Sequence, residues 1–106
     1  MIHLHRPGLI SALGNGSAAT LTTLYDPAAQ PLTYEDNWLP GRRLAVGRCP
    51  THDWQPLPAD LPPEHHTDNN RLLWQALCQI EDTIRAAIAR FGAERVAVVL
   101  GTSTSG

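Results

Sequence analysis

Lysine is absent from this 106-residue chain, so all eight basic side chains are arginines. That absence removes the Gly-x-x-x-x-Gly-Lys-Ser/Thr phosphate cradle as a reading of the small-residue segment Gly101–Gly106. Charge of either sign is sparse. A formal net charge of −2, with no block of basic residues, leaves no electrostatic footprint for nucleic acid. Cysteine is scarce as well: Cys49 and Cys78 make neither a disulfide framework nor a closely spaced metal-ligand pair. A reduced, cytoplasmic compartment is the expected one. Long apolar runs are missing too. Residues 1–7 hold no sustained apolar segment of a secretory signal, and no stretch approaches the length of a bilayer span.

The remaining composition, 42% hydrophobic and 17% charged, is that of a globular chain, and a complete domain of this length would bury about 65% of its unfolded surface. Residues 2–5 predict a short strand. Gly8-Leu9-Ile10-Ser11-Ala12-Leu13-Gly14 predicts a glycine-punctuated turn. Asn15 or Ser17 is placed to cap a helix over 17–25, with Leu21, Leu24 and Tyr25 as its apolar stripe and Asp26-Pro27 as its end. Eight of the nine prolines fall between 26 and 66, which argues against long regular elements there. Residues 27–66 read as a long ordered excursion, since Tyr34, Trp38 and Trp54 offer large faces for packing. Arg42–Gly47 is the one extended segment expected within it.

Thr67-Asp68 opens the best-defined element, a helix expected over 68–91. Leu73, Leu77, Ile80, Ile84, Ile88 and Phe91 recur at helical spacing, Glu81 and Arg85 form an i,i+4 pair, and Gly92 supplies the stop. Burying those six side chains would contribute roughly 9–18 kcal/mol gross, provided a partner surface exists. Residues 95–100 then predict a strand covered on both faces, of the kind found in the middle of a parallel sheet. The resulting expectation is an α/β chain in the order strand, helix, long loop, long helix, strand. It is incomplete as a domain, because two strands and two helices cannot cover both faces and both edges of a central strand.

Three spaced segments carry a resemblance. Gly8-Leu9-Ile10-Ser11-Ala12-Leu13-Gly14-Asn15-Gly16, Asn69-Asn70-Arg71-Leu72-Leu73-Trp74-Gln75-Ala76-Leu77 and Arg95-Val96-Ala97-Val98-Val99-Leu100-Gly101-Thr102-Ser103-Thr104-Ser105-Gly106 resemble, in that order, three parts of one amino-terminal region. They are similar to the opening turn, the long buried helix, and the strand with its following loop in β-ketoacyl-acyl carrier protein synthases. The loop departs from the glycine-richer family pattern at Ser103 and Ser105, which makes it similar to a divergent, polyene-building branch. The resemblance implies that residues 1–106 are a partial amino-terminal synthase domain of thiolase-like fold. It also implies an acyl carrier protein as partner, pairing as a homodimer or with another synthase subunit, and decarboxylative Claisen condensation in fatty acid or polyketide-type biosynthesis.

That chemistry requires an activated thiolate, an oxyanion hole and usually two histidines. In the family these lie downstream of the loop, so no catalytic residue and no cofactor is expected within residues 1–106. Thr104 alone is carried over, as a substrate-binding position lining the acyl pocket. Cys49, in the proline-rich excursion, and Cys78, on the long helix, occupy no strand-to-helix turn that would activate a thiol, and read as packing residues. His3 and His5 share one side of the expected strand and His65-His66 could join them. No carboxylate or thiolate spacing supports that set, and no metal is expected. Two further readings stand beside the enzyme: a non-catalytic thiolase-like partner subunit of the chain-length-factor type, and a truncated reading frame prone to aggregation.

Overall fold

The structure is a computed structural model and describes residues 1–102. It is a mixed α/β chain with three helices and two small antiparallel sheets among the described residues. It divides into two compact units, one made of Leu9–Trp54 and the other of Met1–Gly8 with the chain from Gln55 onward.

In the Leu9–Trp54 unit, the glycine-punctuated segment folds into a minimal hairpin of β1 (Ile10–Ser11) and β2 (Gly14–Asn15). The Ser11 hydroxyl accepts from the Leu13 N–H at 3.1 Å and tightens its tip. Helix α1 (Ser17–Tyr25) has the expected bounds and packs on β2. Its N-cap is Gly16, with no side-chain cap, in place of the expected Asn15 or Ser17. Asp26 ends the helix and its Oδ1 accepts from the Ala28 N–H at 2.9 Å, an Asx-turn that carries the chain away.

The proline-rich excursion holds more regular structure than the proline count suggested. β3 (Leu32–Leu39) pairs antiparallel with β4 (Arg42–Gly47), in register Leu32↔Gly47 through Glu35↔Leu44, and a register shift between Glu35 and Leu39 restores pairing at Leu39↔Arg42. β4 has the bounds of the expected extended segment, whereas β3 was not anticipated. The physical reason is position: Pro31 and Pro40 bracket eight proline-free residues. Pro40 followed by Gly41 at φ 70° is the chemistry of a type II turn.

In the other unit, residues 2–5 form no strand, because no described segment pairs with them. A 3₁₀ turn at Pro63–His65 leads to Thr67, whose hydroxyl caps α2 (Asp68–Cys78) by accepting from the Asn70 N–H at 3.2 Å. The expected single helix over 68–91 is two helices, α2 and α3 (Glu81–Phe91). Ile80 breaks the ladder at φ −121° and ψ 6°, and its N–H bonds Leu77 O at 3.0 Å in a 3₁₀-type closure. Glu81 and Asp82 then sit in the first turn of α3, where negative charge favours a helix start. Glu81 accepts from Arg85 as expected. A 3₁₀ turn at Ala93–Arg95 follows, and residues 96–100 form no ladder with any described strand, contrary to the central strand expected over 95–100. A strand is assigned by pairing, and no described strand stands beside this one.

No hydrophobic side chain among the described residues is buried. Of the six residues on the expected helix stripe, Leu73, Ile88 and Phe91 are exposed and Leu77, Ile80 and Ile84 only half-buried. The chain exposes 8866 Å², where a folded monomer of its 11.6 kDa mass exposes about 5,800 Å².

Gly92 ends α3 at φ 87° and ψ 148°, a region nearly closed to side chains. Gly92→Ala is therefore expected to destabilise the α3 terminus by about 1–3 kcal/mol. The check is a urea titration followed by helix circular dichroism, with Ala93→Gly as a control lacking the positive-φ penalty.

Candidate functional site

Thr104, the carried-over pocket position, lies outside the described residues. The two cysteines are half-buried, Cys49 immediately after Arg48 at the end of the hairpin and Cys78 as the last residue of α2. Burial pushes both thiols above their ordinary value, and the Glu81 carboxylate adds to the effect at Cys78. This is the opposite of the positive surroundings that activate a nucleophilic thiolate. Among the described residues, no group of three or more His, Cys, Asp or Glu side chains could hold a metal ion. His66 instead bonds locally, its Nε2 3.0 Å from Leu61 O.

The most organised polar cluster lies on one face of the β3–β4 hairpin. Pleating places Thr33 and Glu35 on the same side of β3. The Glu35 carboxylate accepts from Arg48 Nε at 2.5 Å and Arg48 Nη2 at 2.6 Å, a two-point fork. It also accepts from Trp38 Nε1 at 2.7 Å and from the Thr33 hydroxyl at 3.1 Å. Its side chain is 16% exposed. The guanidinium of Arg48 stands 5.9 Å from the Trp38 ring centre, and on the opposite side of the strand Arg43 stands 5.8 Å from that of Tyr34. The Arg48 fork, followed by the Trp38 N–H, lowers the Glu35 carboxyl from 4.5 to about 2. A carboxylate so fully engaged and so acidic does not exchange protons near neutrality. Its role is to fix the register of two strands that have no apolar core between them.

The second organised group is a buried amide. Gln75 on α2 is 3% exposed. Its Oε1 accepts from the Gln55 N–H at 2.6 Å and its Nε2 donates to Gln55 O at 2.8 Å, so one side chain satisfies both backbone groups of a residue twenty positions away. The clamp ties Gln55, within the proline-rich segment, to α2. Trp54 Nε1 and Trp74 Nε1 are buried and accept no such service; neither has a hydrogen-bond partner.

The Leu9–Trp54 unit also holds an open depression of about 430 Å³, lined by Leu13, Asn15, Thr23, Gln30, His52 and Asp53 among others. His52 and Asp53 pair at 2.8 Å at its rim, both well exposed. It offers amides, the Thr23 hydroxyl and one imidazole–carboxylate pair, and its lining includes no cysteine.

Neither cluster was anticipated from the sequence. Glu35 and Arg48 are thirteen residues apart and meet only because β3 pairs with β4 in this register. Gln75 sits among apolar helix neighbours, a polar exception that signals a bonded amide once α2 is recognised. No protein family, no curated protein and no solved structure matches this chain.

Because the folded Glu35 pKa lies below its ordinary value, its contribution to hairpin stability is complete above about pH 4.5 and is lost as pH falls toward 2. An NMR titration of the Glu35 side-chain carboxyl is expected to give a midpoint near 2, and Arg48→Ala is expected to return it toward 4.5. Gln75→Leu keeps the volume but leaves both Gln55 backbone groups without their partner, and is expected to cost about 1–3 kcal/mol in a urea titration. Gln75→Glu, which retains only the acceptor, is expected to recover no more than part of that loss.

Proposed function

We propose that residues 1–106 form the amino-terminal portion of a β-ketoacyl-acyl carrier protein synthase of thiolase-like fold. The complete enzyme condenses an acyl group with malonyl-acyl carrier protein in the cytoplasm and works as a homodimer or beside a second synthase subunit. The three spaced segments that resemble this family support the reading. The structural observation that carries it is the uncovered apolar surface: no hydrophobic side chain among the described residues is buried, and Val98, Val99 and Leu100 stand exposed in a run with the composition of a central strand. Such a surface suits an element awaiting neighbouring strands and helices.

The role of these residues in that enzyme is scaffold and, at Thr104, one wall of the acyl pocket. The thiolate comes from elsewhere, since both cysteines present here are held in their less reactive, protonated form by burial.

The test is to read the coding sequence beyond codon 106 and assay its whole product with acyl- and malonyl-loaded carrier protein, following the carrier-bound product by mass spectrometry. The expected result is 3-oxoacyl-carrier protein from the whole product and none from residues 1–106. Condensation by the 106-residue chain, or a continuation that lacks a cysteine at a strand-to-helix turn, overturns the catalytic assignment. The latter outcome, with activity restored by a second subunit, identifies the non-catalytic partner instead.

A further inference from the structure

We propose that Asn15-Gly16 is a self-modifying site, at which local opening of the β1–β2 hairpin lets Asn15 lose its side-chain nitrogen. The inference stands apart from the condensing-enzyme reading and concerns this minimal hairpin alone. Deamidation of an asparagine begins when the next residue's backbone nitrogen attacks the side-chain carbonyl carbon. Glycine in that next place has no Cβ to hinder the approach or the rotation it needs. Asn15 is followed by Gly16, whereas Asn37, Asn69 and Asn70 precede Trp38, Asn70 and Arg71. The step needs no outside reagent but water. A bond forms from Gly16 N to Asn15 Cγ, the Cγ–Nδ2 bond breaks, and the Gly16 N–H proton leaves with that nitrogen as ammonia. Water then opens the resulting ring at either carbonyl carbon, giving aspartate or its isomer with a lengthened backbone.

The closed fold withholds the nucleophile. Gly16 N–H donates to Leu9 O at 2.8 Å, so the nitrogen that must lose its proton is engaged. Asn15 pairs with Ile10 in the ladder, which opposes the rotation that brings its side-chain carbonyl over Gly16 N. Gly16 O accepts from the Thr20 N–H at 3.0 Å and the Thr20 hydroxyl at 2.7 Å, fixing the other end of the same residue to α1. Against these bonds stands a hairpin of two residues per strand, a pairing of low stability by itself. No hydrophobic side chain among the described residues is buried. Segments with few buried apolar contacts open locally, well before a chain unfolds as a whole. The hairpin therefore gates the reaction. Either product adds a negative charge to the wall of the depression that Asp53 also lines, and the isomer's extra backbone carbon displaces the Ile10↔Asn15 register.

The test incubates the whole 106-residue chain in warm neutral buffer and follows each asparagine by peptide mass spectrometry. Asn15 is expected to convert before Asn37, Asn69 or Asn70, and to convert faster in concentrated urea than in buffer by about tenfold or more. Ser11→Ala removes the hydroxyl that tightens the hairpin tip. It is expected to raise the rate in buffer about fivefold, the equivalent of one lost hydrogen bond, and to leave the rate in urea unchanged. Gln75→Leu, in the other compact unit, is expected to leave the Asn15 rate within about twofold of the parent chain's. Equal rates in buffer and urea, earlier conversion of another asparagine, no response to Ser11→Ala, or an equal acceleration by Gln75→Leu would each overturn the proposal.

Discussion

Local pairing holds this chain together, since none of the large apolar side chains among the described residues reaches a buried position. In an ordinary domain the hydrophobic effect supplies most of the driving force, and hydrogen bonds and ion pairs select among compact states. Here the balance is reversed. The β3–β4 hairpin, whose isolated form would be marginal in water, relies on a carboxylate that gathers Arg48, Trp38 and Thr33. Gln55, within the proline-rich segment, relies on one amide that satisfies both of its backbone groups. Helix α1 relies on a minimal hairpin and Thr hydroxyls bonding back to the preceding turn.

The uncovered surface then sets what the molecule can do. Glu35 and Gln75 are fully engaged, and burial pushes the two thiols above their ordinary value. What stays available is apolar: the α1 residues Leu21 and Leu24, the α3 residues Ile88 and Phe91, and the run from Val98 to Leu100. A chain whose apolar side chains stay uncovered is suited to being built upon. The condensing-enzyme proposal is one account of what builds on it, within a longer chain.

Short-range signals in the sequence carried a good deal. The bounds of α1, the Thr67 cap, the Glu81–Arg85 pair, the Gly92 stop and the extended segment Arg42–Gly47 all follow from residues within a few positions of one another. The failures are of two kinds. The unbroken helix over 68–91 failed because periodicity continues across Ile80 while the backbone does not, and Glu81 enters the expectation only as the partner of Arg85, not as the acidic first turn of a second helix. The overlooked strand β3 reflects prolines counted over a region rather than located within it.

Thus the sequence by itself determined the bounds of α1, the Thr67 cap and the Gly92 stop, because those depend on backbone dihedrals and on neighbours within one turn. Only the tertiary structure decided that Glu35 meets Arg48, that Gln75 clamps Gln55, and that residues 2–5 and 96–100 pair with no strand among the described residues. Pairing and burial are properties of two surfaces, and the second surface is not written in the residues of the first.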